Sequence, residues 1–237
     1  MSATPGRRSE VEANLAVVRD RIAAACKAAG RPPDEVTLTV VTKFFPESDV
    51  RLLAELGVRD VGENRHQEAE EKAAATADLG LRWHFVGSLQ SNKATAVATY
   101  ADVVESVDRP KLLHGLSRGA HQRDALVDCL VQMNLDPPGA GAGRGGAAPE
   151  DVVPLAEAVD RADGLRLRGV MAVAPFDSDP APAFARLAAV AAEVRMISTD
   201  ATWISAGMSA DLEAAITAGA THVRIGSAVL GQRPSLR

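Results

Sequence analysis

The chain has 237 residues, 46% hydrophobic and 24% charged, enough to bury one sizeable core or two small ones. A formal net charge of -5, with no stretch gathering Lys and Arg on one face, argues against nucleic acid, and 3% aromatic residues with one tyrosine (Tyr100) leave no base-stacking platform. No run is long enough to span a bilayer, Arg7-Arg8 leads into polar Ser9-Glu10-Val11-Glu12, and Cys26 and Cys129 lack metal-ligand spacing, so a soluble cytoplasmic protein with reduced, buried thiols is expected.

The first helix is expected to open on a capping box, with Ser9 accepting from the Glu12 backbone while Glu12 reaches back. Leu15, Val18, Ile22 and Cys26 follow at helical spacing, and Gly30 with Pro32-Pro33 stops the element. Beyond it, β-rich runs predict strands at 36–43, 58–62, 82–87, 102–107, 126–134, 166–173, 201–207 and 221–226. Alanine-rich runs between them predict helices at 47–56, 64–77, 89–99, 109–122, 149–162, 180–197 and 209–218. Regular β/α alternation implies parallel strands covered by helices. Eight strands suggest an α/β fold closed as a (β/α)8 TIM barrel with an extra N-terminal helix, one domain over 1–237. An open doubly wound sheet is the other arrangement, but no Gly-x-Gly-x-x-Gly follows the first strand.

The Gly/Pro/Ala-rich segment 137–149 breaks this rhythm. Such a composition fits a flexible linker between domains. Only three strands lie beyond it, too few to close a second barrel, so a loop after the fifth strand is the better assignment.

In such a barrel the reactive groups come from the carboxyl ends of the strands and the loops after them. Those positions hold Lys43, Gly62-Glu63-Asn64, His84, Asn134, Met171, Ser205-Ala206-Gly207-Met208-Ser209 and Arg224-Ile225-Gly226-Ser227. Lys43 ends the apolar run Val36–Thr42, where a partly desolvated amine can act as a nucleophile, although most strand-end lysines simply reach solvent. Strand parity puts Thr39, Val41 and Lys43 on one face, His84 opposite Trp83 and Phe85, and Arg224 opposite Val223 and Ile225. Gly207-Met208-Ser209, leading into a helix over 210–218, and Gly226-Ser227 resemble an anion cradle. For Ser209, ordinary N-capping fits equally well, for Gly226 a simple turn does, and Asp211 and Glu213 are expected to face solvent. Arg224, costly to bury alone, needs either a carboxylate on a neighbouring strand or an acceptor nitrogen on a ligand. For His84 a satisfied inner-layer imidazole is the simpler assignment.

A strand-end lysine, a phosphate cradle and an arginine beneath it together suggest pyridoxal 5′-phosphate. Val41-Thr42-Lys43, Gly62-Glu63-Asn64, Trp83-His84-Phe85-Val86-Gly87 with Leu89-Gln90-Ser91-Asn92-Lys93, Arg168-Gly169-Val170-Met171, Gly207-Met208-Ser209 and Val223-Arg224-Ile225-Gly226 resemble the YggS/PROSC family of pyridoxal phosphate homeostasis proteins. The match runs in order from about Val36 to Gly231. The resemblance implies a barrel like the N-terminal domain of alanine racemase, with Lys43 carrying the cofactor as an internal aldimine. It implies further that Gly207, Ser209, Gly226 and Ser227 hold the phosphate and that Arg224 faces the pyridine nitrogen. Asn64, His84 and Met171 would lie near the ring, and Ser205 and Met208 on the same rim belong to the expected binding set. Where the family usually carries a lysine after strand five, this chain has Arg144-Gly145-Gly146 in a longer insertion.

A guanidinium can only donate, so a pyridine nitrogen facing Arg224 stays unprotonated and the ring is a weaker electron sink. Alanine racemases take a second acid/base group, a tyrosine, from a further β-rich domain. No such domain is expected here, and Tyr100, preceding the fourth strand, is expected at the opposite end of the barrel. The expectation is therefore a monomeric pyridoxal phosphate carrier in vitamin B6 and amino-acid homeostasis, with no catalytic residue and no metal, serving pyridoxal phosphate-dependent apoenzymes. The alternatives are a low-turnover alanine racemase-like enzyme using His84 or a water as second base, and a class I aldolase whose Lys43 forms an imine with a sugar phosphate.

Overall fold

The computed structural model describes residues 5–137, 145–175 and 178–232. Eight parallel strands close in sequential order into a barrel: β1 Thr37–Val41, β2 Asp60–Glu63, β3 Arg82–Phe85, β4 Val103–Val107, β5 Val127–Gln132, β6 Leu165–Met171, β7 Trp203–Ser205 and β8 His222–Ile225. Around them lie α1 Pro5–Ala28, α2 Glu47–Glu55, α3 His66–Ala75, α4 Ala94–Ala98, α5 Leu113–Gln122, α6 Pro149–Asp160, α7 Pro180–Ile197, α8 Leu212–Thr217 and α9 Ser227–Leu230. Every predicted strand is present, each of them shorter than expected, with β2 reaching Glu63 and β6 starting at Leu165. The centre of the predicted loop, with Arg144, lies outside the described residues.

Alternation along the strands sorts side chains between two environments. Val40, Val61, Trp83, Val223 and Ile225 point outward and join Val11, Leu15, Val18, Ile22 and Cys26 of α1 in one buried cluster. Phe85, Val104, Cys129, Val131, Leu167 and Val170 point outward into a second cluster with the other helices. The barrel interior holds Val103, Leu130 and Met171 with polar groups above and below them. Both cysteines are buried free thiols, and burial raises the Cys129 thiol pKa.

Three expectations require correction. Helix α1 begins at Pro5, whose missing N–H costs nothing in a first turn. Ser9 and Glu12 therefore lie within the helix body and form no capping box at its start. Helix α8 begins at Leu212, so Ser209 is not its N-cap; Asp211 stands at that position and its Oδ1 accepts from the Met208 N–H at 2.6 Å. Glu213 pairs with Arg21 of α1 at 2.8 Å and so ties α8 to α1. Asp211 is partly buried where solvent exposure was expected, whereas Glu213 is exposed as expected and makes its ion pair at the surface.

One feature of β6 was not visible as periodicity. Leu167 and Val170, three apart, both face the outer cluster, which simple alternation forbids. A register shift between Leu130 and Cys129 on β5 accommodates the extra residue, and Gly169 takes φ +143° at that bulge. A Cβ there would come within 1.9 Å of the Trp203 carbonyl oxygen, so only glycine fits. The bulge restores parity and turns Met171 inward.

Candidate functional site

Barrel closure brings the two ends of the chain together. β8 pairs with β1, Arg224 opposite Thr39 and Ile225 opposite Val40. A Cβ on Gly226 would stand 3.2 Å from the Val41 carbonyl oxygen, so Gly226 is needed against β1. It stands at the N-cap of the short helix α9, whose first N–H groups, at Ser227 and Ala228, lack intrahelical acceptors. Half-buried Lys43 follows β1 by two residues and so rises beside this turn. On the other flank Gly207 holds φ +96°, and a Cβ there would meet Ala215 and Leu212 of α8 at 2.8 and 3.2 Å.

Beneath this rim runs a buried charged chain. Arg224 is 5% exposed; its Nη1 donates to Ser205 Oγ at 2.6 Å and its Nη2 to the Ala172 carbonyl at 2.9 Å. Ser205 Oγ donates onward to Glu105 Oε2 at 2.6 Å, and Glu105 Oε2 lies 3.6 Å from Arg224 Nη1. The other oxygen of Glu105 accepts from His84 Nδ1 at 2.7 Å, and Asp60 Oδ1 accepts from His84 Nε2 at 3.0 Å. Burial would lower the His84 pKa, but the hydrogen bonds and charges of Asp60 and Glu105 outweigh it and lift it to about 9. Burial would raise Glu105, but His84 above all, then Arg224 and Ser205, hold it down at about 2. His84 is thus an imidazolium donating from both nitrogens. Burial pulls Arg224 down, against Glu105 and Asp211, and pushes His222 below, its ring tilted 37° and centred 4.3 Å from Trp203, to about 4.

The expected site residues therefore divide. Lys43, Gly207, Ser209, Arg224, Gly226 and Ser227 come from the carboxyl ends of β1, β7 and β8, which are neighbours in the closed sheet. Asn64 follows β2, with its Oδ1 buried and unpartnered. Met171 is buried within the barrel beside Val103 and Leu130. Ser205, expected on the rim, is fully buried, its hydroxyl spent between Arg224 and Glu105. His84, expected near a ring, has both nitrogens committed at a level opposite Gly62, below Asn64. The Met208 N–H is taken by Asp211 and so is not offered to an anion. Asn134 Oδ1 accepts from the Asp136 N–H within its own loop.

Two residues central to this geometry went unread in the sequence. Glu105 is the charged residue of the strand Val103-Val104-Glu105-Ser106-Val107, and its inward parity with Val103 was the available signal. Lys72, on α3, is buried and donates to Glu63 Oε1 at 2.6 Å, Glu68 Oε1 at 2.7 Å and the Thr42 carbonyl at 2.9 Å. Thr42 Oγ1 also donates to Glu63 Oε1 at 2.8 Å. Burial raises the Glu63 pKa against the lowering by Lys72 and Thr42.

Among the described residues no cluster of three or more His, Cys, Asp and Glu side chains could hold a metal, and no helix is long and apolar enough to cross a membrane. The donor set instead fits a phosphorylated aromatic aldehyde. It offers an amine, backbone N–H groups at a tight glycine turn, a guanidinium from below and an unpartnered buried amide oxygen on Asn64.

The family model described as alanine racemase, N-terminal domain, matches residues 9–234. A protein of Mycobacterium tuberculosis named Pyridoxal phosphate homeostasis protein is 42% identical over 249 aligned residues, covering 98% of this chain and 96% of that protein. The structure of PipY from Synechococcus elongatus, with PLP bound, superposes with a TM-score of 0.80 at 31% identity, covering 93% of this chain and all of PipY. An alanine racemase of Clostridium difficile, 13% identical with a TM-score of 0.69, shares the fold alone, over 96% of this chain and 58% of the racemase.

Proposed function

Since this chain belongs to the YggS/PROSC family of pyridoxal phosphate homeostasis proteins, within the wider alanine racemase N-terminal domain group, we propose that it binds pyridoxal 5′-phosphate through Lys43 and acts in intracellular B6 homeostasis as a carrier. The observation that supports this reading is barrel closure, which pairs β1, whose end leads to Lys43, with β8, which carries Arg224 and leads to Gly226-Ser227. The cofactor supplies an aldehyde carbon that an amine can join and a phosphate that fixes its position.

The chain's own residues do the rest. The Ser227 and Ala228 N–H groups at the start of α9 would hold the phosphate, and Gly207 would let the β7 loop turn beside it. Arg224, held by Ser205, Glu105 and Ala172, would be the group facing the pyridine nitrogen, and as a permanent donor it would favour an unprotonated nitrogen there. Asn64 Oδ1 offers an acceptor on the β2 side.

A carrier is favoured over a racemase-like enzyme because both internal candidates for a second base are engaged elsewhere. His84 is locked between two carboxylates. Tyr100 stacks on His66, 5.9 Å away, in the helical layer and outside the barrel, with a buried hydroxyl whose pKa burial raises. Proton exchange at the α-carbon of L-alanine, followed in heavy water with the cofactor-loaded protein, is expected to stay far below ordinary enzyme turnover across a panel of amino acids. Exchange at about 1 s⁻¹ or faster, dependent on Lys43, would make the protein an enzyme.

A further inference from the structure

The loop that carries Lys43 is a strained turn. The Phe45 N–H donates to the Thr42 carbonyl at 3.0 Å, which makes Lys43 and Phe44 the two central residues of a β-turn. Phe44 takes φ +71°, the left-handed value that the third position of a type II turn demands and that normally selects glycine or asparagine. A bulky aromatic residue persists there only if its surroundings over-determine it.

Those surroundings come from one helix. Glu68 and Lys72 of α3, one turn apart, look locally like a routine surface ion pair, but both reach inward to the turn. Glu68 Oε1 accepts from the Phe44 N–H at 2.6 Å. The same oxygen accepts from Lys72 Nζ, which also donates to the Thr42 carbonyl. Glu63 joins Lys72 to the Thr42 hydroxyl, and the Arg65 guanidinium lies 4.7 Å over the Phe44 ring. The backbone is thus gripped on both sides of Lys43, at Thr42 and at Phe44. A tie whose only purpose was to hold α3 to the barrel would not need an acceptor aimed at a strained amide.

We propose that Glu68 and Lys72 are positioning residues for Lys43. By holding the left-handed Phe44 turn they fix the direction in which the Lys43 amine leaves β1. The proposal rests on the reading that Lys43 carries pyridoxal phosphate. It assigns α3 a part in holding and releasing the cofactor, since loosening the grip frees the lysine to swing away.

Wild type, Glu68→Ala, Glu68→Gln, and Glu68→Ala combined with Phe44→Gly separate the possibilities; the Glu68 side chain is 24% exposed, and a cooperative thermal melt of each variant establishes that it is folded. Two readouts are used. One is the rate at which bound cofactor leaves, followed by the loss of its visible band. The other, on cofactor-free protein, is the rate of reductive methylation at Lys43 by formaldehyde and borohydride, measured by peptide mass spectrometry. Glu68→Ala is expected to speed cofactor loss on the order of tenfold and to change the Lys43 modification rate, because the turn then relaxes out of the left-handed region. Glu68→Gln, which keeps an acceptor for the Phe44 N–H, should stay within about twofold of wild type. Phe44→Gly should restore the Glu68→Ala protein, because glycine adopts the turn without help. Glu68→Ala indistinguishable from wild type in both readouts, or no recovery with Phe44→Gly, overturns the positioning role. A wild-type protein that holds no cofactor on Lys43 overturns the functional reading instead, and the cofactor-free readout still reports on the turn.

Discussion

Lys43→Ala is expected to yield a colourless protein. The lysine is half-buried at the mouth of a closed barrel, two residues beyond β1 and beside the glycine turn that begins α9. Removing it leaves the proposed phosphate turn and Arg224 in place, so the cofactor can still dock without a covalent link. Affinity should fall on the order of 100-fold or more, about 2.7 kcal/mol, and the visible imine band should disappear, leaving only the absorption of the free aldehyde. Stability without cofactor should change little, because a partly exposed strand-end lysine buries little apolar surface. The measurement is an absorption titration of the purified variant with pyridoxal phosphate. An imine band that survives the substitution would mean that another amine holds the aldehyde.

Glu105→Gln is expected to cost about 3–5 kcal/mol of stability, because it removes the one charge that lies between His84 and Arg224 and leaves both cations buried without it. In a chain of this length that corresponds to a fall in Tm of roughly 10 °C. The same network sets the pH dependence. His84 is raised from 6.5 to about 9, so its contribution is complete below about pH 6.5 and is lost as pH rises toward 9. Glu105 is lowered from 4.5 to about 2, so its contribution is complete above about pH 4.5 and fades as pH falls toward 2. His222, lowered from 6.5 to about 4, contributes fully above about 6.5 and loses that contribution as pH falls toward 4. Wild-type stability should therefore peak near pH 6.5 and decline on both sides, with Asp60 and Arg224 as the other charges facing the network. In Glu105→Gln the alkaline decline should flatten, since His84 loses the closer of its two carboxylate partners. Thermal melts from pH 4 to 9 check both claims, and an unchanged alkaline limb in the variant would contradict this account of His84.

Much of this architecture is legible in linear sequence because it is local. The Val, Ile and Thr runs and the alanine-rich stretches alternate as a parallel β/α fold requires, eight strands favour closure into a barrel, and parity places His84 and Arg224 on its inner face. What could not be read depends on contacts across the barrel. Glu105 of β4 meets Ser205 of β7 and Arg224 of β8, three strands that sequence spacing does not connect. Arg224 consequently has the carboxylate partner that its burial demanded, in Glu105. Ser205 and His84 sit at the right strand ends but are consumed by this network, a distinction that needs side-chain geometry. The Ser9 capping box and the Ser209 cap failed for a related reason: suitable residue types stand at both places, but Pro5 and Asp211 lie nearer the true helix starts. Lys72 resembled an ordinary helix-surface lysine because only the fold turns that face of α3 toward Thr42.

The central claim, that Lys43 is the covalent anchor of pyridoxal phosphate, is tested most directly by reducing the yellow protein with borohydride and mapping the peptides by mass spectrometry. The account predicts one modified peptide, with the pyridoxyl group on Lys43 between Thr42 and Phe44 and none on Lys72 or Lys93. A pyridoxyl group on any other lysine, with Lys43 unmodified, would contradict it.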